Sequence, residues 1–427
     1  MFTAQWVSSG GMRCSPLNAA LYLLAHGERV NMGRAKEFML EQEERGFYSV
    51  GDKFLCSRCI GEEDLGRYVR DQGERGECTY CGNKRLRIIH FDMLMEFLVD
   101  CISEEYGEPN NVGVAWDKGW CGDVMDSYDL LGELSIPIEN MDLQDDIISS
   151  LNVQQWCKRD FYNLSPSEAY LHGWKSFVHL VKHKSRYSFY RAEDDREFNS
   201  FDEIPPKYFM DSLSNVVDSL NLYKNIKVGE KVLRVRIHDK KTKLNSANDI
   251  GSPPVEFAVY PNRMSPSGIS MFYGAFDRRT AIAETFEGPN QAKVASVGTF
   301  EVTRELVVID FSKLPPYEGL LSGCERDYRH QLSFVYDFLS DFTAPVRKDG
   351  LEHIDYVPTQ VVSEHFRFIH KTKEGKKVDG IIYPSSKLYK RNAIVLFCDD
   401  KECVEHDAKD GLLRLISLKR INPNKYI

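Results

Sequence analysis

No stretch of this chain approaches the roughly 18 consecutive apolar residues that a membrane-spanning helix requires, so no span is expected. Residues Met1 to Pro16 lack a basic segment followed by an apolar block. A cleaved secretory leader is therefore not expected, and the reading is of a soluble, cytoplasmic protein. A basic stripe is missing too. There are 55 Lys and Arg against 64 Asp and Glu, a formal charge of −9, the reverse of the footprint that nucleic-acid backbones select. The excess is local: Glu104 to Asp146 holds twelve acidic residues and one basic residue, Lys118, so the remainder sums to +2. Such a run reads as solvated surface. Internal repeats and low-complexity tracts are absent.

What the chain does have is length and apolar content. Its 427 residues are 42% hydrophobic and 12% aromatic, enough to bury a sizeable core and to form two or three domains. Eleven cysteines are an odd number, and without a leader they make a poor disulfide framework. Four of them form two pairs, Cys56-x-x-Cys59 and Cys78-x-x-Cys81, separated by eighteen residues. Each pair suits a tight turn that brings two thiolates to one tetrahedral Zn²⁺, and the separation fits a zinc ribbon. Gly82 follows the second pair, where a residue at positive φ is often needed. From Gly51 to His90 there are eight Lys or Arg and seven Asp or Glu, too balanced for a phosphate-binding module. Four cysteine ligands leave no open coordination position, so the expected Zn²⁺ is structural.

Helical patterns follow. His90 to Tyr106 repeats apolar residues at helical spacing, and Asn163 to His183 opens with Ser165, Pro166 and Glu168, a capping box. Pro205-Pro206 opens a third amphipathic segment. Near Ile226 the period changes. Lys231 to His238 alternates strictly, with Leu233, Val235 and Ile237 on one face and Arg234, Arg236 and His238 on the other. Strand-like runs recur at 269–275, 293–302, 306–311, 380–383 and 392–398, interrupted by helical patterns at 278–286, 328–342 and 358–370. The expected fold is thus α+β: a helical N-terminal region with a zinc ribbon, then an α+β domain. The boundaries set residues 1–90 around the ribbon apart from helical residues 91–225, and both apart from 226–427.

Three arginines (Arg234, Arg236, Arg263), Tyr273 and the Thr280/Glu284 pair, four apart on one helix face, converge near one sheet edge. That set suits an anionic substrate whose reacting carbon develops positive charge. The block from Pro253 to Glu284, with NRMSPSG, Tyr273 and Ala-Ile-Ala-Glu284, resembles the RES domain family. Tyr356-Val-Pro-Thr-Gln360, Asp379 to Ser385 and Asn392 to Phe397 repeat that family's order. Asn262 and Ser265 stand where the family usually has Gly and Asn, and Leu233 where it usually has an aromatic. The N-terminal half is similar to the HEPN/RES N-terminal domain. The resemblance implies an ADP-ribosyltransferase-like fold and action on NAD⁺, as a glycohydrolase or phosphorylase serving as a bacterial toxin or anti-phage effector. By position it implies Arg234, Tyr273, Glu284 and Ser385 as catalytic, and Arg263, Thr280 and Asn392 as substrate-binding. Arg236 competes for a phosphate contact, and Ser386 for the serine position.

Two rival activities are weighed. A protein-directed ADP-ribosyltransferase would want a second acidic residue, such as Glu287. A HEPN-type ribonuclease would use Arg85 and His90 on a helix. The N-terminal half also suits a sensor or docking module, with an antitoxin or phage-derived trigger as partner, and a homo-oligomer is expected.

Overall fold

A computed structural model of the chain describes residues 42, 44–191, 203–286, 293–346 and 349–423. It divides into two compact units, Met1–Asp100 with Val124–Trp156, and Cys101–Asp123 with Cys157–Ile427.

In the first unit the two CxxC turns flank a small sheet. β1 (Phe54–Cys56), β2 (Glu74–Arg75) and β3 (Arg87–His90) pair in the order β1-β3-β2. Between the turns lies α1 (Glu63–Gln72), an element the sequence pattern does not announce. Glu62 caps it by accepting from the Leu65 amide at 2.7 Å. It buries Leu65 and Val69. α2 (Phe91–Glu105), which belongs to this unit as far as Asp100, buries Phe91, Leu94 and Leu98. α3 (Met141–Ser150) starts at Asn140, which accepts from Leu143 at 2.9 Å.

The Arg85–His90 stretch, which a HEPN-type ribonuclease would need on a helix, is not helical. Ile88 and Ile89 pair with Cys56 and Leu55 in the antiparallel β1–β3 ladder, which places Arg87 to His90 on a strand. The β-branched pair buries better against β1 than along a helix, and the ribonuclease spacing loses its meaning.

The second unit carries the large sheet. α4 (Pro166–His183) begins with the expected capping box at Ser165 and Glu168. Trp174, Phe177 and Val181 on its inner stripe enter an aromatic core. They meet α5 (Phe209–Ser219) and α7 (Arg326–Thr343) through Phe209, Phe334 and Phe338. The strands are β4 (Tyr223–Ile226), β5 (Lys231–Asp239), β6 (Phe272–Ala275), β7 (Lys293–Val302), β8 (Leu306–Asp310), β9 (Gly380–Pro384), β10 (Asn392–Leu396), β11 (Cys403–Val404) and β12 (Leu413–Ile421). Their order is β11-β12-β7-β5-β6-β10-β9-β8-β4. Only β8–β9 and β11–β12 run parallel, so the nine-stranded sheet is mixed. α6 (Arg278–Thr285) packs Ala281 and Ile282 against Val235 and Val297 on β5 and β7. α8 (Val357–Phe368) joins the aromatic core through Val357, Val362 and Phe366.

Three strands of this sheet go beyond the sequence pattern: the two-residue β11, β4 and β12. β4 has no apolar alternation and becomes a strand through its antiparallel pairing with β8. β12 pairs along nearly all of β7, with a bulge at Thr299/Phe300.

An ion cluster braces this unit. The Glu105 carboxylate lies 3.1 Å from Arg326, 2.9 Å from Arg329 and 2.9 Å from His330, and Arg326 also pairs with Asp160. Burial works to raise the Glu105 carboxyl, but the His330 hydrogen bond and the charges of His330, Arg326 and Arg329 outweigh it and hold it at about 2. A carboxyl depressed in the folded state stabilises above its ordinary range and loses that contribution on acidification. Glu105→Gln is expected to cost about 3 kcal/mol at neutral pH. Its deficit in thermal midpoint relative to wild type should shrink as pH falls from 4.5 toward 2. A pH-independent deficit would contradict this.

Candidate active site

Four neighbouring strands, β5, β6, β10 and β9, frame the site. β5 and β6 share one ladder pair, Leu233 opposite Ala275, and part beyond it. Gly274 permits the close approach just there, since a Cβ on it would fall 2.9 Å from the Leu233 carbonyl. Across the gap the Arg234 guanidinium donates to the Tyr273 carbonyl at 3.1 Å and lies over the Phe272 ring. Burial lowers the pKa of this guanidinium from its ordinary value, and Cys403, Cys398 and Tyr273 act to raise it.

The Tyr273 hydroxyl accepts from the Met264 amide at 3.1 Å and sits 2.9 Å from the Ser265 hydroxyl. Burial pushes its pKa up to about 12, against the opposing effect of the Ser265 and Met264 hydrogen bonds and the Arg234 charge. The turn bearing Arg263 is clamped from α8. Gln360, 7% exposed, donates to the carbonyls of Asn262 at 2.8 Å and Ser265 at 3.3 Å, and the Thr359 hydroxyl donates to the Arg263 carbonyl. Arg263 itself caps the end of α7, donating to the Phe342 and Ala344 carbonyls at 2.8 and 2.7 Å.

Glu284 occupies the last turn of α6 and accepts from the Ser385 hydroxyl. Ser385, just past β9, accepts in turn from the Lys387 and Leu388 amides at 3.2 Å each. One donor and two acceptor sites are thereby all used, which fixes the carboxylate. Tyr383 on β9 is 8% exposed. Burial raises its phenol pKa, the Glu284 and Tyr273 charges raise it further, and Arg263 opposes them. Three predicted site residues thus surround one buried phenol.

Together these elements enclose a cavity of about 740 Å³ lined by Arg234, Arg263, Tyr273, Glu284, Tyr383 and Lys387 among others. The described charged lining residues are three cations and one acid, inside a chain of net charge −9. Neither Arg234 nor Arg263 has a carboxylate within ion-pair distance among the described residues. A cavity so built selects an anion.

Ser385 does not itself line the cavity and reaches it through its bond to Glu284, and two further predicted residues also lie elsewhere. Thr280 is fully buried and its hydroxyl donates at 2.6 Å to Asp277, the N-cap of α6, and it does not line the cavity. Asn392 opens β10 opposite Pro384 and does not line it either. Ser386 does line it. Arg236 is exposed and donates to the Asp249 carbonyl at 2.7 Å. Glu287 lies outside the described residues.

The comparisons with known families bear on this cavity. Residues 234–416 match the RES domain, and residues 71–195 match HEPN/RES N-terminal domain 1. The chain carries a RES domain. Neither a curated protein nor a solved structure matches it. The RES domain spans the arginine on β5, the clamped turn, α6 and the Ser385 turn, so the cavity lies within it. RES domains are associated with enzymatic chemistry on NAD⁺.

Tyr383, Tyr356, Gln360 and Lys387 in the RES domain are cavity or clamp residues that sequence reasoning did not single out. Tyr356, Gln360 and Tyr383 sit inside the quoted motifs, so the motifs flagged them without assigning a role. Lys387 carried no signal beyond its nearness to Ser385.

The four cysteines of the first unit form a separate centre. Their sulfur atoms all lie within 4.8 Å of one another, with Cys56–Cys59 at 3.8 Å and Cys56–Cys81 and Cys59–Cys78 at 3.6 Å. A tetrahedral ion with bonds of about 2.3 Å needs sulfurs about 3.8 Å apart, so the set fits. Gly82 has the anticipated positive φ of 65° and donates to the Cys78 carbonyl. The Thr79 amide donates to the Phe54 carbonyl at 2.8 Å, tying one turn to the other.

Removing the Gln360 clamp leaves two turn carbonyls without their donor. Gln360→Ala should therefore destabilise by about 1–3 kcal/mol, read from urea unfolding. An unchanged midpoint would mean the turn holds itself.

Proposed function

We propose that the RES domain cleaves the bond between nicotinamide and ribose in NAD⁺, by hydrolysis or phosphorolysis, and that the chain acts as an NAD⁺-depleting toxin or anti-phage effector. The observation that carries this reading is one acid, Glu284, fixed by Ser385 in a cavity whose other charges are cationic. A guanidinium has five N–H donors. Arg234 uses one on the Tyr273 carbonyl and Arg263 two on the end of α7, which leaves both able to hold a diphosphate.

The chemistry follows from charge. Nicotinamide departs as a neutral base and leaves a ribosyl oxocarbenium ion at C1′. The Glu284 carboxylate stabilises that cation without having to reorient, because Ser385 already holds it. The Tyr273 ring, fixed through its hydroxyl, offers a face to nicotinamide or its ribose. Water or inorganic phosphate then completes the reaction at C1′. In the first unit, Cys56, Cys59, Cys78 and Cys81 would hold structural Zn²⁺, closing the two turns on each other.

Chromatography of NAD⁺ with and without inorganic phosphate tests the reaction. NAD⁺ should disappear with release of nicotinamide, and Glu284→Gln should slow this on the order of 10²-fold or more at an unchanged melting midpoint. Undiminished turnover in that variant would overturn the assignment, and labelled protein in place of free ADP-ribose would move it to a transferase. For the metal, about one Zn²⁺ per chain is expected, lost with a lower melting midpoint in Cys59→Ser. A metal-free wild type would remove that assignment.

A further inference from the structure

The segment Val255 to Tyr260 presents a physical oddity at the cavity mouth. Four of its six side chains are large, apolar and in water: Val255, Phe257, Val259 and Tyr260 are 58, 70, 59 and 80% exposed. A slack loop would explain this, but the backbone is held. The Ser270 hydroxyl donates to the Pro253 carbonyl at 2.6 Å, and the Gly268 amide to the Ala258 carbonyl at 2.7 Å. The Phe257 amide closes a short 3₁₀ turn onto Pro254 at 2.8 Å. A fixed backbone that keeps aromatic rings out of the core displays them for a ligand.

Phe257 and Tyr260 also line the cavity that holds Arg234, Arg263 and Glu284. Tyr260 stands three residues before Arg263, on the same clamped stretch. The segment itself carries one charged residue, Glu256, which does not line the cavity. Its lining side chains therefore suit a flat, uncharged, aromatic group attached to the anion that Arg263 faces. The volume of about 740 Å³ accommodates a drug-sized ligand rather than a ribosyl-nicotinamide fragment alone.

We propose that Tyr260 and Phe257 form the stacking face for the purine base of the substrate, so that the site selects a dinucleotide over a mononucleotide. This rests on the NAD⁺ reading above and deepens it. Stacking on an aromatic side chain is sequence-tolerant and needs no hydrogen-bonding partner, which matches a segment whose lining side chains, Phe257, Ala258 and Tyr260, are uncharged. Tyr260 acts on binding and stays remote from bond cleavage, so its loss should raise KM and spare kcat.

The test compares kcat/KM for NAD⁺ and for nicotinamide mononucleotide, which lacks the adenosine half, using the full chain. In Tyr260→Ala the preference for NAD⁺ over the mononucleotide should fall about tenfold through KM. Tyr260→Phe should restore it, and Phe257→Ala should lower it in the same sense. An unchanged preference in Tyr260→Ala, with wild type active on NAD⁺, would overturn the stacking face and leave the NAD⁺ reading standing. A wild type inert toward both nucleotides would overturn both. Sedimentation provides a second arm: an oligomer that Tyr260→Ala dissociates would assign the rings to a second copy of the chain and overturn the proposal.

Discussion

β5 and β6 lie side by side in the large sheet yet share only the pair Leu233–Ala275. The parting of two strands in mid-sheet leaves backbone groups that must find other partners. Arg234 supplies one by donating to the Tyr273 carbonyl. Residues on both sides of the gap then line the cavity, Leu233 to Val235 from β5 and Tyr273 with Gly274 from β6. The same guanidinium that repairs the sheet is thereby held at the cavity wall.

Every other wall is fastened by similar means. The Arg263 turn is clamped by Gln360 and Thr359 of α8, and its guanidinium closes the end of α7. The Glu284 carboxylate at the end of α6 is bonded to the turn after β9 through Ser385. Loop-borne groups gain their precision from rigid neighbours, which is what electrostatic stabilisation of a short-lived cation requires. Arg234 and Arg263 are held by backbone carbonyls rather than by carboxylates among the described residues. That leaves the positive charge available to a ligand.

The first unit solves a different problem. A segment with strands of two to four residues buries little apolar surface, and small folds of that kind depend on a metal or cross-link. Four sulfurs at tetrahedral spacing between two tied turns could hold an ion that meets that need. An ion held by all four would have no open coordination position for chemistry.

Much of this was legible in the residues. The capping box at Ser165, the alternation in β5 and the paired CxxC turns are local patterns, and local patterns survive folding because they depend on near neighbours. Arg234, Tyr273 and Glu284 come to line one cavity, with Ser385 bonded to Glu284 behind it. The helix that a HEPN-type ribonuclease would need at Arg85 to His90 is absent because Arg87 to His90 form β3, which pairs with β1. Thr280 shares Glu284's helix, but its hydroxyl is taken by Asp277, a competition that i,i+4 spacing cannot reveal. Tyr383 and Gln360 acquire their surroundings only when β9 meets β10 and α8 meets the Arg263 turn. By itself the sequence determined which groups were available and which short elements carry them. Tertiary packing decided which of those groups share a cavity, because strand order and side-chain partners arise from contacts between residues far apart along the chain.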